Sequence, residues 1–163
     1  MRIFDDRFRR SPRQYIIQSL LAFVVIAGII IGLGALTHGI VVAALGASAF
    51  IVFAMPQHDT ARPRNLVGGH GVCVAIGLLC SIPLRFGWLP SAGLSIGLLA
   101  AAAVGLAVFL MAATNTEHPP AAGNALAFAI SAIEMEHIFF TLGAVLFLAL
   151  ARRLLGKWLQ DLA

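Results

Sequence analysis

Six apolar stretches separated by short polar segments run along the chain. Residues 15–36 and 92–113 are long enough to cross a bilayer, since about 20 helical residues span the hydrocarbon core. Residues 39–55 are at the short limit, and a third stretch begins near Gly68 or Gly71 and ends by Pro83 and Arg85. The last two pieces, residues 121–133 and 138–151, each provide only about 20 Å of helix. The pattern predicts an all-α, polytopic transmembrane helical bundle with about six membrane segments, some of them short or re-entrant.

The last two pieces permit two interpretations. They are either two short crossings joined by a tight turn at residues 134–137, or one re-entrant element followed by one crossing. Basic residues flank the apolar region at both ends of the chain, which by the positive-inside rule predicts that both termini are cytoplasmic and that the number of crossings is even. Six crossings are favoured, and four crossings with two re-entrant pieces also fit. The flanking basic residues are Arg2, Arg7, Arg9, Arg10, Arg13, Arg152, Arg153 and Lys157.

This reasoning divides the chain into a cytoplasmic basic segment (residues 1–14), one transmembrane domain (residues 15–151) and a cytoplasmic tail (residues 152–163). Composition agrees, because 60% of the residues are hydrophobic, 11% are charged and the mean hydropathy is +0.95. Such a chain needs the lipid bilayer as its solvent, which excludes a soluble enzyme, a nucleic-acid binder and a disordered scaffold. We expect an integral protein of a bacterial-type inner (plasma) membrane.

The first polar segment with candidate chemistry covers residues 61–70. Arg62 and Arg64 carry charge, Asn65 and His70 add side-chain donors, and Pro63 is expected to hold the chain extended. Gly68 and Gly69 would let backbone N–H groups approach a ligand at the start of the next helix, whose amino end is positive. The segment predicts a cradle for an anion, and the alternative is an ordinary loop whose arginines bind lipid phosphate.

The second such segment covers residues 114–124. His118 precedes Pro119 and Pro120, which cannot continue a helix but are well accepted in the first turn of a new one. The amides at the start of that helix would point back at the loop, which again suits a small anion. The alternative is a sharp turn in which the histidine caps a carbonyl. Further candidate binding residues here are Asn115, Glu117, Ala122, Gly123 and Asn124.

Other features favour structural interpretations. Glu134 and His137 resemble half of a di-metal motif, but no second half exists, so we expect a solvated turn and no metal. His38 is expected to be a turn residue. Ser48 lies in an apolar run with no base near it in sequence, so no catalytic group, enzyme activity or cofactor is expected. The small-residue pairs Gly28/Gly32 and Gly93/Gly97 favour close packing within one protomer over a dimer seam.

With these motifs the chain resembles the HPP family of integral membrane proteins, named for the motif that stands here as His118-Pro119-Pro120. The resemblance also covers residues 46–49 and the segment from Pro63 to His70, in family order and spacing. Members of the family are implicated in nitrite transport. The chain departs from the usual family pattern at residues 57–61 and just after the diproline, which affects the lining of a site more than the fold.

The resemblance and the two polar segments together predict a transporter or channel for a small monovalent inorganic anion, most simply nitrite. The alternative is a non-transporting assembly or regulatory module whose polar loops bind a partner protein. A closed homo-oligomer is expected, with a dimer favoured. The predicted substrate-binding residues are Arg64, Asn65, Gly68, Gly69, His70, Asn115, Glu117, His118, Gly123 and Asn124.

Overall fold

The computed structural model describes residues 8, 10–33, 39–90, 93–131 and 135–163. Within these ranges all regular structure is helical, which confirms the predicted fold class. Two short 3-10 turns, Asp59–Ala61 and Pro119–Ala121, precede the third and fifth helices. The helices are α1 (Pro12–Leu33), α2 (Gly39–Ala54), α3 (Pro63–Arg85), α4 (Leu94–Thr114), α5 (Ala122–Ile130) and α6 (Met135–Leu155).

The third helix begins earlier than its hydrophobicity predicts. Pro63 is its first residue, and Arg62 in front of it has the extended conformation. The prediction that Pro63 holds the segment extended was therefore wrong, because the fixed φ of proline suits the first helical turn and restricts the residue before it instead. Asn65, Gly68 and Gly69 consequently lie on a helix and not in a loop.

The last helix is longer than the predicted 14 residues. It has 21 residues and includes Glu136 in its first turn and Arg152 and Arg153 in its last turn. Charges in these positions oppose the ends of the helix dipole and can reach the membrane interface, so they do not end the helix. In contrast α5 has nine residues. The final region is thus one short helix followed by one helix long enough to cross. The predicted turn at residues 134–137 was wrong for residues 135–137, which begin α6. His38 and Glu134 lie outside the described residues.

Contacts place both polar segments, residues 61–70 and 114–124, at one end of the bundle, which we call the polar end. The Arg64 guanidinium donates to the Thr114 carbonyl, at the end of α4. Arg152, near the end of α6, donates to the Pro56 carbonyl. The start of α1 lies at the same end, because Gln14 donates to the carbonyl of Trp158 in the chain after α6. The first residues of the transmembrane region and the tail therefore meet there, together with both polar segments.

Four of the described helices, α1, α3, α4 and α6, are long and apolar enough to cross a membrane, and α2 is a shorter apolar helix. Large apolar side chains such as Ile31, Leu94 and Phe109 are exposed on the outside of the bundle. Polar side chains are instead buried between the helices. The buried polar residues are Gln18, Ser48, Asn65, His70, Ser81, His118, Asn124 and Thr141. This distribution suits a bundle surrounded by hydrocarbon.

Distant residues cap the end of α2. Gln18 on α1 donates to the Phe53 carbonyl, and the Leu162 amide donates to the Ala54 carbonyl over 2.8 Å. Gln18 also donates to the Gln160 carbonyl over 2.9 Å and accepts from the Gln160 amide over 2.8 Å. The last carbonyls of a helix have no partner within the helix, so these contacts fix the tail against α1 and α2.

Glycines decide how closely α3 approaches α5. A Cβ atom on Gly77 would lie 2.6 Å from the Phe128 Cβ and 2.8 Å from the Ala125 carbonyl oxygen. In contrast, a Cβ atom on Gly28 or Gly97 would meet nothing within 4 Å. The prediction that these two glycines pack within the protomer was therefore wrong, and both lie open on the outside of α1 and α4.

Candidate functional site

The two polar segments meet inside the bundle at Ser48. Its Oγ lies 3.0 Å from His70 Nε2 and 2.9 Å from His118 Nε2. All three residues have no measurable solvent exposure. Ser48 lies six residues before the end of α2, and His70 lies seven residues after the start of α3, so they are about 9 and 10.5 Å along their helices from the polar end.

In both histidines Nδ1 is the ring nitrogen that faces away from Ser48. Its partner is a hydrogen-bond acceptor in His118 and a donor in His70. His118 Nδ1 lies 2.8 Å from the Thr60 carbonyl oxygen, which can only accept. His70 Nδ1 lies 2.7 Å from the Asn124 side-chain nitrogen, which can only donate. For neutral rings, His118 therefore carries its proton on Nδ1 and His70 carries its proton on Nε2.

These assignments give one continuous chain of hydrogen bonds. Asn124 donates to His70, His70 donates to the Ser48 oxygen, and the Ser48 hydroxyl donates to His118. His118 then donates to the Thr60 carbonyl. The Ala44 carbonyl, 2.8 Å from Ser48 Oγ, is a second acceptor for the same hydroxyl proton. The serine hydroxyl thus has two alternative orientations.

The sequence builds this convergence through small residues on α3. A Cβ atom on Gly69 would lie 2.8 Å from the His118 Cβ and 2.9 Å from the Thr116 carbonyl oxygen. A Cβ atom on Gly68 would lie 2.7 Å from the Thr116 Cγ2. The segment carrying His118 can therefore lie directly on α3. Asn65 fixes it further by donating to the Glu117 carbonyl over 3.1 Å.

The diproline positions His118 at the end of an extended segment, directly before a new helix begins. His118 is extended, with φ −140° and ψ 91°, and the 3-10 turn Pro119–Ala121 leads directly into α5. The Ala122 amide donates to the carbonyls of Pro119 and Pro120, so it is occupied within this turn. Asn124 on the first turn of α5 then reaches His70.

Of the predicted binding residues, His70, His118 and Asn124 come together at Ser48. Asn65, Gly68 and Gly69 lie beside them on α3 and support the segment that carries His118. Arg64 is exposed at the surface, as is Glu117, and Gly123 is half-buried at the start of α5. Asn115 is exposed and ends α4 in the left-handed conformation, with φ 53° and ψ 51°. Substrate binding by these ten residues stays a prediction.

The binding residues predicted from the sequence did not include Ser48 or Thr60. The expectation that no base lies near Ser48 holds along the sequence, but two imidazoles reach it in space. A serine in an apolar stretch is an ordinary packing residue, so the pattern offered little reason to choose it. Its place in the motif of residues 46–49 was the available indication.

The site has polarity but no fixed charge. Among the residues that the structure describes, no group of three His, Cys, Asp or Glu side chains could hold a metal. Asn124 Oδ1 is buried without a hydrogen-bond partner. This orphaned acceptor is unusual, because almost all buried polar atoms are paired.

Comparison with known proteins agrees with the motifs. The family model of the HPP transmembrane region matches residues 7–158. The chain belongs to the HPP family. The match includes all six described helices and both polar segments of this HPP protein.

Two transmembrane proteins of Dictyostelium discoideum are similar to part of this HPP chain. One is 32% identical over 87 residues, which is 53% of the chain and 29% of that protein. The other is 33% identical over 94 residues, which is 58% of the chain and 29% of that protein. The aligned segments thus span less than a third of each relative. No solved structure matches the chain.

Proposed function

We propose that this HPP protein is a membrane transporter or channel for a small monovalent anion, with nitrite as the candidate substrate. The observation that carries the proposal is the meeting of His70 and His118 at Ser48, inside a bundle whose outer surface is apolar. Polar side chains buried in a membrane bundle are costly to keep there and are typical of ion and substrate pathways.

The interrupted secondary structure of residues 115–130 supports the same function. An extended segment, a 3-10 turn and the nine-residue α5 take the place of one continuous helix. In transporters, interrupted helices bring backbone dipoles and polar side chains to a binding site within the membrane. The short length of α5 and the diproline before it fit such an element.

The inward direction of the polar side chains favours transport over the assembly-module alternative. His70, His118 and Asn124 are fully buried, whereas a surface that binds a partner protein would present them to solvent. Arg64 and Glu117 are the predicted binding residues with fixed charge, and both are exposed at the polar end. The arginines of that end outnumber its carboxylates and would attract anions.

Sidedness and assembly are part of the proposal. Arg10, Arg13, Arg62, Arg64, Arg152, Arg153 and Lys157 all belong to segments at the polar end, which by the positive-inside rule would face the cytoplasm of a bacterial-type inner membrane. A homodimer through α4 would cover the open Gly97 and the exposed Phe109. Cysteine labelling from either side and cross-linking in membranes test these two points.

Nitrite flux into proteoliposomes tests the function. The wild-type protein should admit nitrite faster than protein-free vesicles, and the combined change Arg64→Ala and His118→Ala should abolish the difference. The control variant combines Arg85→Ala and His137→Ala, which removes one arginine and one histidine at the opposite end of the helices from the polar segments. Wild-type flux no faster than that of protein-free vesicles would contradict the proposed function, and equal flux in the two double variants would contradict the role of Arg64 and His118 in it.

A further inference from the structure

Among the described residues no arginine or lysine hydrogen-bonds to Ser48, His70 or His118, so the polar centre has no cation in direct contact to balance a bound anion. Besides α5, the helices α4 and α6 pack against α3 as well. The described part of α4 has no ionisable side chain, and α6 carries Glu136, His137, Arg153 and the half-buried Arg152, which donates to the Pro56 carbonyl.

The atoms of the hydrogen-bond chain itself belong to α2, α3, α5 and the segments 55–62 and 115–121. Apart from the two histidines, the ionisable side chains on the described parts of these elements are exposed or are thiols. They are His58, Asp59, Arg62, Arg64, Arg85, Glu117, Cys73 and Cys80. Asp59 and Arg62 also pair with each other over 2.6 Å.

An anion alone would therefore enter a buried, neutral site, which costs several kcal/mol or more without a partner charge. A proton on either imidazole would supply the positive charge, and the hydrogen-bond chain offers a route for it. We propose that His70, Ser48 and His118 form a proton relay, with Asn124 as the residue that orients His70, and that a proton crosses this part of the protein through it together with the transported anion. The inference rests on the proposed function and adds the coupling ion to it.

The direction of the hydrogen bonds determines how a proton moves along them. Water that enters with the anion delivers a proton to His70 Nδ1 once the Asn124 amide nitrogen has turned away from it, and this ring becomes an imidazolium. Its Nε2 proton then passes to Ser48 Oγ while the Ser48 hydroxyl proton passes to His118 Nε2. His118 is now the imidazolium, and its Nδ1 proton can leave beside Thr60. Only N–H and O–H bonds form and break, and the net change is one proton moved from His70 to the Thr60 end.

Each end of the relay has a feature that suits this role. At one end, Thr60 is half-buried and its hydroxyl lies 2.9 Å from Nδ1 of the exposed His58, so the chain ends beside the surface. At the other end, Asn124 Oδ1 is buried and has no partner. Once His70 carries its proton on Nδ1, rotation of the Asn124 amide would let this oxygen accept that proton's hydrogen bond. Asn124 can therefore stabilise the hydrogen-bond chain in both of its directions, because its amide can donate to His70 Nδ1 or accept from it.

Proteoliposomes that contain a pH-sensitive dye test the relay. Nitrite is added outside near neutral pH, internal pH and internal nitrite are measured together, and protein-free vesicles correct for nitrous acid that crosses the lipid. Wild-type protein should move one proton with each nitrite ion. Ser48→Ala removes the hydroxyl that passes the proton and should lower the proton flux at least about tenfold. Asn124→Leu removes the amide that orients His70 and should lower the proton flux as well.

Ser81→Ala is the matched control, because Ser81 is also buried and its hydroxyl donates to the carbonyl of Leu78 in its own helix. Ser48→Thr keeps the hydroxyl and should retain coupled flux, which separates loss of the relay from loss of folding. Nitrite flux without proton movement in the wild type, or coupled flux that survives both Ser48→Ala and Asn124→Leu, would overturn the relay and leave anion transport standing.

An imposed pH gradient without nitrite, with the membrane potential clamped by a potassium ionophore, separates the two proposals further. Proton flux that depends on Ser48 but comes with no nitrite flux in the first assay would support the relay and contradict the proposed anion. Absence of both fluxes in the wild-type protein would contradict both.

Discussion

The rings of His70 and His118 lie 5.2 Å apart, tilted by 45°, and share the hydroxyl oxygen of Ser48. His70 lies on α3 and His118 lies in the extended segment before the 3-10 turn, and the Nδ1 atoms of the two rings have different partners. One partner is a carbonyl oxygen and the other is an amide nitrogen. This asymmetry makes the pair directional, because two neutral rings in this arrangement hold their protons on different nitrogens.

Nitrogen NMR of reconstituted protein with isotopically labelled histidine should detect this difference. We expect the neutral His70 ring to carry its proton on Nε2 and the neutral His118 ring to carry it on Nδ1, because their Nδ1 atoms face a donor and an acceptor respectively. His70→Gln and His118→Gln assign the two signals. Protons on the same ring nitrogen in both residues would contradict the hydrogen-bond chain.

Substitutions of two neighbouring glycines on α3 should have opposite consequences. Gly69→Ala places a Cβ against the His118 Cβ and the Thr116 carbonyl, so it should lower stability by about 1–3 kcal/mol. A Cβ on Gly71 would meet nothing within 4 Å, and Gly71→Ala should raise stability by up to about 1 kcal/mol because alanine favours the helix. Unfolding in denaturing detergent measures both, and equal effects would contradict the close approach.

Loss of the Gln18 amide should loosen the polar end. Gln18→Leu would leave the Phe53 carbonyl and both backbone groups of Gln160 without their partner, at a cost of about 1–3 kcal/mol in unfolding free energy. Faster proteolysis of the tail should accompany the loss. Gln57→Leu changes an exposed glutamine at the same end and serves as the control. Unchanged tail protection in Gln18→Leu would show that the tail is held by other contacts.

The residue that ends α4 should tolerate glycine better than a β-branched side chain. Asn115 has φ 53°, and its amide and that of Thr116 donate to the carbonyls of Ala112 and Met111, as in a Schellman motif. Asn115→Gly should stay within about 1 kcal/mol of wild type, and Asn115→Val should lose about 1–2 kcal/mol, since left-handed backbone is strained in most residues. Thermal unfolding in detergent compares them, and a stable Asn115→Val variant would contradict this role.

Helix boundaries could be predicted where hydropathy changes sharply along the sequence. Where hydropathy changes gradually, they could not. The limits of α2 and α4 lie within two residues of the apolar stretches. The start of α3 was not found, since proline, glycines and polar side chains interrupt the apolar pattern over residues 63–70. They form a helix because Gly68 and Gly69 are needed at the contact with residues 116–118, and tertiary packing outweighs helix propensity there.

The sequence by itself determined the membrane class, the helical architecture and the two polar segments, because burial of apolar helices in lipid depends on local length and composition. Only the tertiary structure decided that Ser48 joins the two histidines and that Asn124 reaches His70. It also decided that Arg64 stays at the surface. These relationships depend on distances between atoms that are far apart along the chain, and hydrogen-bond partners of that kind are fixed by how helices pack and not by the residues on either side.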